Sequence, residues 1–245
     1  MAHTHICLLA VAALVATLAH AEVPPYIKTC GRRNPRISEC VKESVSYLIP
    51  TMRAGVPELD VPALEPLYVE EIALADLADF KAIAYNVKLR GLSNYVIKYL
   101  KVDLDKATID LDILFPKVFM TSDYDVKAKI LVPINEKGPI DITTDNVESK
   151  VTLRFKKVER RGRTLIYFPT MSCKLVVKDY TANFMPGAND NPIVKAINSV
   201  LVSSSKEIIE SMTPNLEKAV SSKVLDVANR ICKHFTYDEL FPDRV

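Results

Sequence analysis

The chain is 245 residues long, which suits one large domain or two small ones. Its formal net charge is +2, with both signs interspersed along the chain, which is too little and too evenly spread for nucleic-acid binding. Only six glycines occur, and there is no P-loop, G-x-G-x-x-G, G-x-S-x-G or H-E-x-x-H, so phosphate-cradling loops, α/β-hydrolase chemistry and zinc-protease chemistry have no foothold and no cofactor is expected.

The N-terminus carries an apolar run from Ile6 to Leu18 followed by Ala19-His20-Ala21, the layout of a secretory signal peptide. The sequence therefore predicts a leader over residues 1–21, a single domain over 22–245, and a secreted, extracellular protein. No other segment approaches about 18 consecutive apolar residues, so no stable membrane insertion is expected. Beyond the leader lie Cys30, Cys40, Cys173 and Cys232, an even set that suggests two disulfides in a secreted chain. Three pairings are possible. The short spacing favours Cys30–Cys40, which leaves Cys173–Cys232. The absence of any C-x-x-C argues against zinc.

Taken in order, Pro24 to Pro35 reads as loop. Ser38 could cap a short helix bearing Val41, Val45, Leu48 and Ile49, stopped by Pro50 or a little beyond. Arg53 to Pro66, with Pro57, Pro62 and Pro66, reads as an extended connector. Strands follow. Ile83, Tyr85, Val87 and Leu89 alternate with polar residues, and Gly91-Leu92-Ser93-Asn94 reads as a turn or bulge. Tyr95 to Asp105 alternates less cleanly. Ile109, Leu111 and Ile113, then Val126, Ala128, Ile130 and Val132, each mark an apolar face. Glu136-Lys137-Gly138-Pro139 reads as a turn before a strand opening at Ile140 and Ile142. Val151, Leu153 and Phe155 pair across a basic tip, Glu159 to Arg163, with Leu165 and Tyr167. Lys174 to Tyr180 reads as the last strand. Short connections make the sheet antiparallel, and one-sided strands make it wet on one face and dry on the other.

From Pro192 to Lys233 the period changes. Ile193, Ile197, Leu201, Ile208, Met212, Leu216, Val220, Val224, Val227 and Ile231 recur at helical spacing, with Asn191 placed to cap and Pro192 at the first helical position. Such a helix would be roughly 60 Å long, with a kink expected near Ser211 because of Pro214. A one-striped helix of this length needs a long apolar partner. The α+β solution is a highly curved antiparallel sheet wrapped around this one C-terminal helix, with a short N-terminal helix. The alternative is a sandwich or closed barrel with the helix packed against it.

Several stretches resemble the insect takeout and juvenile-hormone-binding family. They are Gly55-Val56-Pro57-Glu58-Leu59 with Leu64-Glu65-Pro66-Leu67, Gly91-Leu92-Ser93-Asn94, Lys101-Val102-Asp103-Leu104-Asp105, Leu114-Phe115-Pro116, Tyr124-Asp125-Val126, Ala228-Asn229-Arg230-Ile231 and Tyr237-Asp238-Glu239-Leu240-Phe241-Pro242. They occur in the family's order across nearly the whole chain beyond the leader. The resemblance implies an apolar tunnel between sheet and helix and a non-enzymatic carrier of hydrophobic ligands such as juvenile hormone, other terpenoids or fatty-acid-like molecules.

Catalysis has little to work with, because beyond the leader His234 is the only histidine. Asp103/Asp105 and Asp110/Asp112 sit at i, i+2 on strands and read as solvated faces, as does the tip carrying Arg160, Arg161 and Arg163. The expected ligand-lining set is Tyr85, Val87, Tyr95, Phe115, Val126, Ile130, Leu153 and Tyr167 from the strands, with Ile193, Ile197 and Leu201 from the helix. Tyr99 and Ser204 are further polar side chains of that kind. Tyrosine suits such a wall because it has an apolar body and a polar tip. The expected partner is a small hydrophobic ligand and the expected state a monomer. The competing reading is a secreted signalling protein with a filled core that acts through a surface partner.

Overall fold

The computed structural model describes residues 23–76, 80–129, 133–188 and 190–245. The expected leader over 1–21 and the expected lining residue Ile130 lie outside these. The chain opens with helices α1 (Ile37–Tyr47) and α2 (Ile49–Ala54), continues through strands β1 (Leu67–Asp76), β2 (Phe80–Arg90), β3 (Val96–Asp103), β4 (Thr108–Lys129), β5 (Pro133–Arg160), β6 (Arg163–Val176) and β7 (Tyr180–Phe184), and closes with helices α3 (Pro192–Ser203), α4 (Ser205–Cys232) and α5 (Tyr237–Leu240). The seven strands form one antiparallel sheet in the order β1-β2-β4-β5-β6, with β3 added to β4 and β7 to β5.

Its spine is a single hairpin. β4 and β5 stay in one register from Thr108↔Arg154 to Lys129↔Pro133. The stretches around Ile109 and Val126, which read as separate strands, are thus halves of one strand. Glu136 to Pro139 is no turn: it pairs with Asp123 to Val126. Proline signals mislead here because the first residues of β5 have no strand on their other side, β7 starting only at Ile140 and β6 at Glu148. An edge tolerates a missing N–H. Pro116 sits in a similar gap, between the segments of β4 that pair β3 and β2. Near it Asn146 has φ 54°, and there the buried face changes parity. Ser122 and Tyr124 are buried on the far half of β4, whereas Ser149, Val151 and Phe155 are buried on the near half of β5. The sheet is therefore strongly coiled about its own spine.

A bulge also redirects β2. Its register against β4 shifts between Tyr85 and Lys88, where Asn86 takes φ 51°. Ala82, Ala84 and Val87 are the buried positions, and Ile83 and Tyr85 stand beside Asp125 and Asp123. Simple alternation of Ile83, Tyr85 and Val87 on one face fails because the extra residue inverts the phase.

The N-terminal reading needs two corrections. Ser38 does not cap α1; it lies inside the helix, and its hydroxyl accepts the Val102 N–H at 3.0 Å, docking α1 on β3. Pro50 sits in the first turn of α2, and the helical segment ends a little beyond it, at Ala54. Leu67–Asp76, which the alternation pattern left unassigned, is edge strand β1.

The long C-terminal element divides at Ser204, not near Ser211. α4 runs unbroken through Pro214. Thr213 and Ser211 hydroxyls donate to the Ile209 and Ile208 carbonyls of that turn, at 2.7 and 2.9 Å.

Cys30 and Cys40 form a disulfide. Cys173 and Cys232 do not; both are buried free thiols. The geometry explains this. Glu217 bonds Leu175 and Asn229 bonds Phe168, so α4 runs antiparallel to β6. Cys232 lies beyond the level of Phe168, toward Ile166, while Cys173 lies near Leu175. At about 1.5 Å per helical residue the two are more than about 10 Å apart along the axis, whereas a disulfide needs Cα atoms within about 7 Å.

The family-like stretches are one another's partners. The Glu65 carboxylate accepts the N–H groups of Gly91 and Ser93 at 3.0 and 2.8 Å, and Arg53 reaches the Ser93 hydroxyl and the Asn94 carboxamide. Gly91 has φ 87°, and a Cβ there would meet the Lys117 carbonyl oxygen at 2.3 Å.

Candidate functional site: the seam between the helix and the sheet

α3 and α4 are fastened to the sheet by polar side chains aimed at strand backbones. Asn198 Oδ1 accepts the Phe184 N–H of β7 at 2.9 Å, and Tyr180 donates to the Leu201 carbonyl at 2.9 Å, just before the helix divides. Asn215 Nδ2 donates to the Leu74 carbonyl of β1 at 3.0 Å, and Glu217 Oε1 accepts the Leu175 N–H of β6 at 2.9 Å. Asn229 spans the Phe168 N–H and carbonyl of β6. β1 and β6 are the two ends of the sheet path. Residues 215 and 217 therefore bridge its open edges and close the curl.

Between these tethers the packing is uneven. At one end Tyr124, Phe184 and Val194 are buried together, with Val126, Ile140, Met185, Ala188, Ile197 and Leu201 against them. At the other, Phe155, Ile166, Phe168, Cys232, Tyr237 and Phe241 form one cluster, and Val56, Leu59, Val61 and Phe235 another. In between, no residue from Ser205 to Val224 is buried. Ile208, Met212, Leu216 and Val220 carry the apolar stripe yet stay partly accessible. A helix stripe sealed on a close-packed core would show fully buried positions.

Of the expected lining residues, Val126, Ile197 and Leu201 come together in the first cluster. Val87 is fully buried on β2. Tyr95 and Phe115 meet edge to face at 6.2 Å, Tyr95 packing where α1 covers β3; burial raises the Tyr95 phenol pKa. Leu153 packs at the opposite end of the seam from Tyr124. Tyr85 shares the outer face with Asp123, and Tyr167 is exposed with Lys156 over its ring at 5.5 Å, so neither joins this group. Tyr99 is likewise exposed. The Ile193 side chain lies outside the described residues.

Two residues were missed. Ser122 and Tyr124 share the Val126 face of β4, and both are buried, at 8% and 5% exposure. The Val126 alternation, continued four residues back, would have found them. The Tyr124 ring lies on Phe184 at 4.5 Å between centroids. Burial and the nearby Glu136 carboxylate push its phenol up to about 12. Neither hydroxyl has a hydrogen-bonding partner.

Elsewhere the titratable groups serve structure. Asp110 accepts from Thr152 at 2.6 Å, and Asp103 accepts the Lys106 N–H at 2.9 Å. Among the described residues no cluster of His, Cys, Asp and Glu could hold a metal ion, and no helix is long and apolar enough to cross a membrane. Two open depressions of about 410 and 540 Å³ lie on the outside, walled by residues such as Lys98, Glu148 and Lys178, and by Tyr68, Glu70 and Lys88. Their charged walls suit water rather than an apolar guest.

This arrangement defines a class: a curled antiparallel half-barrel closed by one long C-terminal helix, with an apolar seam. The chain belongs to the haemolymph juvenile hormone binding protein family, whose sequence model matches residues 7–242, and with it to the takeout-like proteins. It is 26% identical over 222 residues to a putative beta-carotene-binding protein of Schistocerca gregaria, covering 89% of both chains. It is 25% identical over 233 residues to the circadian clock-controlled protein daywake of Drosophila melanogaster, covering 89% of this chain and 88% of that one. The crystal structure of Epiphyas postvittana Takeout 1 superimposes with a TM-score of 0.74 at 20% identity, over 88% of this chain and all of the other. That likeness shows the fold. The family is one of hydrophobic-ligand carriers.

Proposed function

We propose that this chain is a secreted, non-enzymatic carrier that holds a hydrophobic ligand in the seam between α3–α4 and the curled sheet. Juvenile-hormone-like and other terpenoids, carotenoids and fatty-acid-like chains are the ligand class. The observation that carries this reading is the apolar stripe from Ser205 to Val224, where no residue is fully buried and polar tethers at its borders hold the helix to the sheet. An apolar guest laid along it would gain about 25 cal/mol per Å² of apolar area removed from water. Affinity would come from burial, with no covalent step. The family membership and the locust relative's name support the same class.

The test is organic extraction of well-washed protein followed by mass spectrometry, with uptake of a seam-seeking fluorophore by the delipidated chain. A lipid-like molecule in the extract and saturable, displaceable uptake are expected. An empty extract together with no uptake of any terpenoid or fatty acid would sink the carrier reading in favour of a surface-acting signalling protein.

A further inference from the structure

We propose that Tyr124 and Ser122 form an oxygen-recognising seat in the seam, which selects a lipid bearing a hydrogen-bonding oxygen over the matching hydrocarbon. This assignment rests on the carrier reading and adds to it the ligand's polar group and the residues that meet it.

Buried polar groups are almost always hydrogen-bonded, because an unmet donor loses its water without compensation. Here two hydroxyls break that rule on one face of one strand. They are two residues apart, hence about 7 Å from each other along β4, and both are more than nine-tenths buried without a partner. Another tyrosine under the same helix is satisfied. Tyr180 on β7 faces the same helix and donates to the Leu201 carbonyl. Tyr124, level with Gly138 on β5 where Tyr180 is level with Thr144, is left unmet between Phe184 and the apolar residues of α3.

The residue across from Tyr124 keeps room around its hydroxyl. Gly138 pairs with Tyr124, and a Cβ there would lie 3.1 Å from the phenolic oxygen and 3.3 Å from Met185 Cε. Glycine at this position leaves the phenol tip and the flexible Met185 side chain free to adjust to a guest. The phenol stays protonated throughout the physiological range and so remains a donor. A carbonyl, ester, acid or alcohol oxygen can accept from it, while the Ser122 hydroxyl can donate or accept. A pure hydrocarbon would leave both groups unmet.

The experiment compares farnesol with farnesene, which share a carbon skeleton, farnesene carrying one more double bond in place of the hydroxyl, as competitors of a fluorescent probe on the delipidated secreted chain. Tyr124→Phe is expected to lower the farnesol-to-farnesene affinity ratio by about tenfold and Ser122→Ala by about threefold, the range of one hydrogen bond, with farnesene binding unchanged. Because both hydroxyls are unmet without ligand, the ligand-free melting temperature of Tyr124→Phe should equal or exceed that of the wild type, a result that a purely structural tyrosine would not give. Should Tyr124→Phe fail to fold, Gly138→Ala crowds the same hydroxyl without removing it and must lower the same ratio. A ratio unchanged in all folded variants, with both compounds binding, overturns the seat and leaves the carrier intact. Failure of the wild type to take up either compound or the probe removes the carrier reading, and the seat with it.

Discussion

Asn229 on α4 grips Phe168 on β6 with both ends of its carboxamide: Oδ1 accepts the Phe168 N–H at 2.8 Å and Nδ2 donates to the Phe168 carbonyl at 3.0 Å. β6 is the last strand on the sheet path, so this one side chain supplies the backbone partners that a further strand would have given. Asn229→Ala leaves a partly buried N–H and carbonyl unmet. It should destabilise the fold by about 2 kcal/mol, read as a lower midpoint with an unchanged slope in urea unfolding.

The middle of α4 should respond differently. Glu217 accepts the Leu175 N–H and pairs with Lys174 at 3.0 Å, and Asn215 holds Leu74 on the opposite edge. No buried cluster backs this region. Combining Asn215→Ala with Glu217→Ala should therefore loosen the closure of the curl more than the whole fold. The expected result is faster release of a bound fluorophore in stopped-flow, by about tenfold, with a loss of stability of about 1–2 kcal/mol. Unaltered release would mean that the edges stay closed without these tethers.

Cysteine chemistry gives a direct count. Without reduction, denatured protein freed of its leader, and so of Cys7, should take up two alkyl groups, at Cys173 and Cys232, while Cys30 and Cys40 stay protected. In the native state alkylation should be slow. Burial raises the Cys173 thiol against the lowering effect of its Ser149 contact, and burial pushes Cys232 up to about 12, so little reactive thiolate exists at neutral pH. Replacing Cys30 and Cys40 by serine should cost about 3 kcal/mol on the loop-entropy account.

Acid should act partly through Glu65. Burial works to raise its pKa, but the N–H groups of Ser93 and Gly91, the Ser93 hydroxyl and nearby Arg53 outweigh it, and the carboxyl titrates below its ordinary 4.5. A folded-state pKa below the unfolded one stabilises the fold above pH 4.5, and that contribution is lost as pH falls through the lower folded value. Glu65→Gln should therefore be less stable than wild type at neutral pH. The gap should narrow below pH 4.5 in urea titrations, and a gap constant with pH would contradict this assignment.

Much of the fold is legible in the sequence because hydrophobic period is a local property. Alternation marks Ile109 to Ile113 and Val126 as strand, and the 3–4 spacing from Ile197 to Ile231 marks helix. A wet outside, a dry inside and one long stripe then demand a curled sheet around a helix. The Cys30–Cys40 bridge is equally local. What the sequence does not carry is anything set by phase or by partners distant along the chain. One extra residue at Asn86 turns Tyr85 outward. A change of buried parity near Asn146 unites two apparent strands into one. An unpaired edge lets Pro139 sit in a strand that its Gly-Pro signal would end. Antiparallel packing of α4 on β6 separates Cys173 from Cys232, although parity of the cysteine count suggested a bond. The candidate seat shows the same division. Sequence placed Val126, Ile197 and Leu201 on apolar faces, but only the tertiary structure brought them beside Ser122 and Tyr124, because whether a hydroxyl is met depends on atoms contributed by β5, β7 and α3 together.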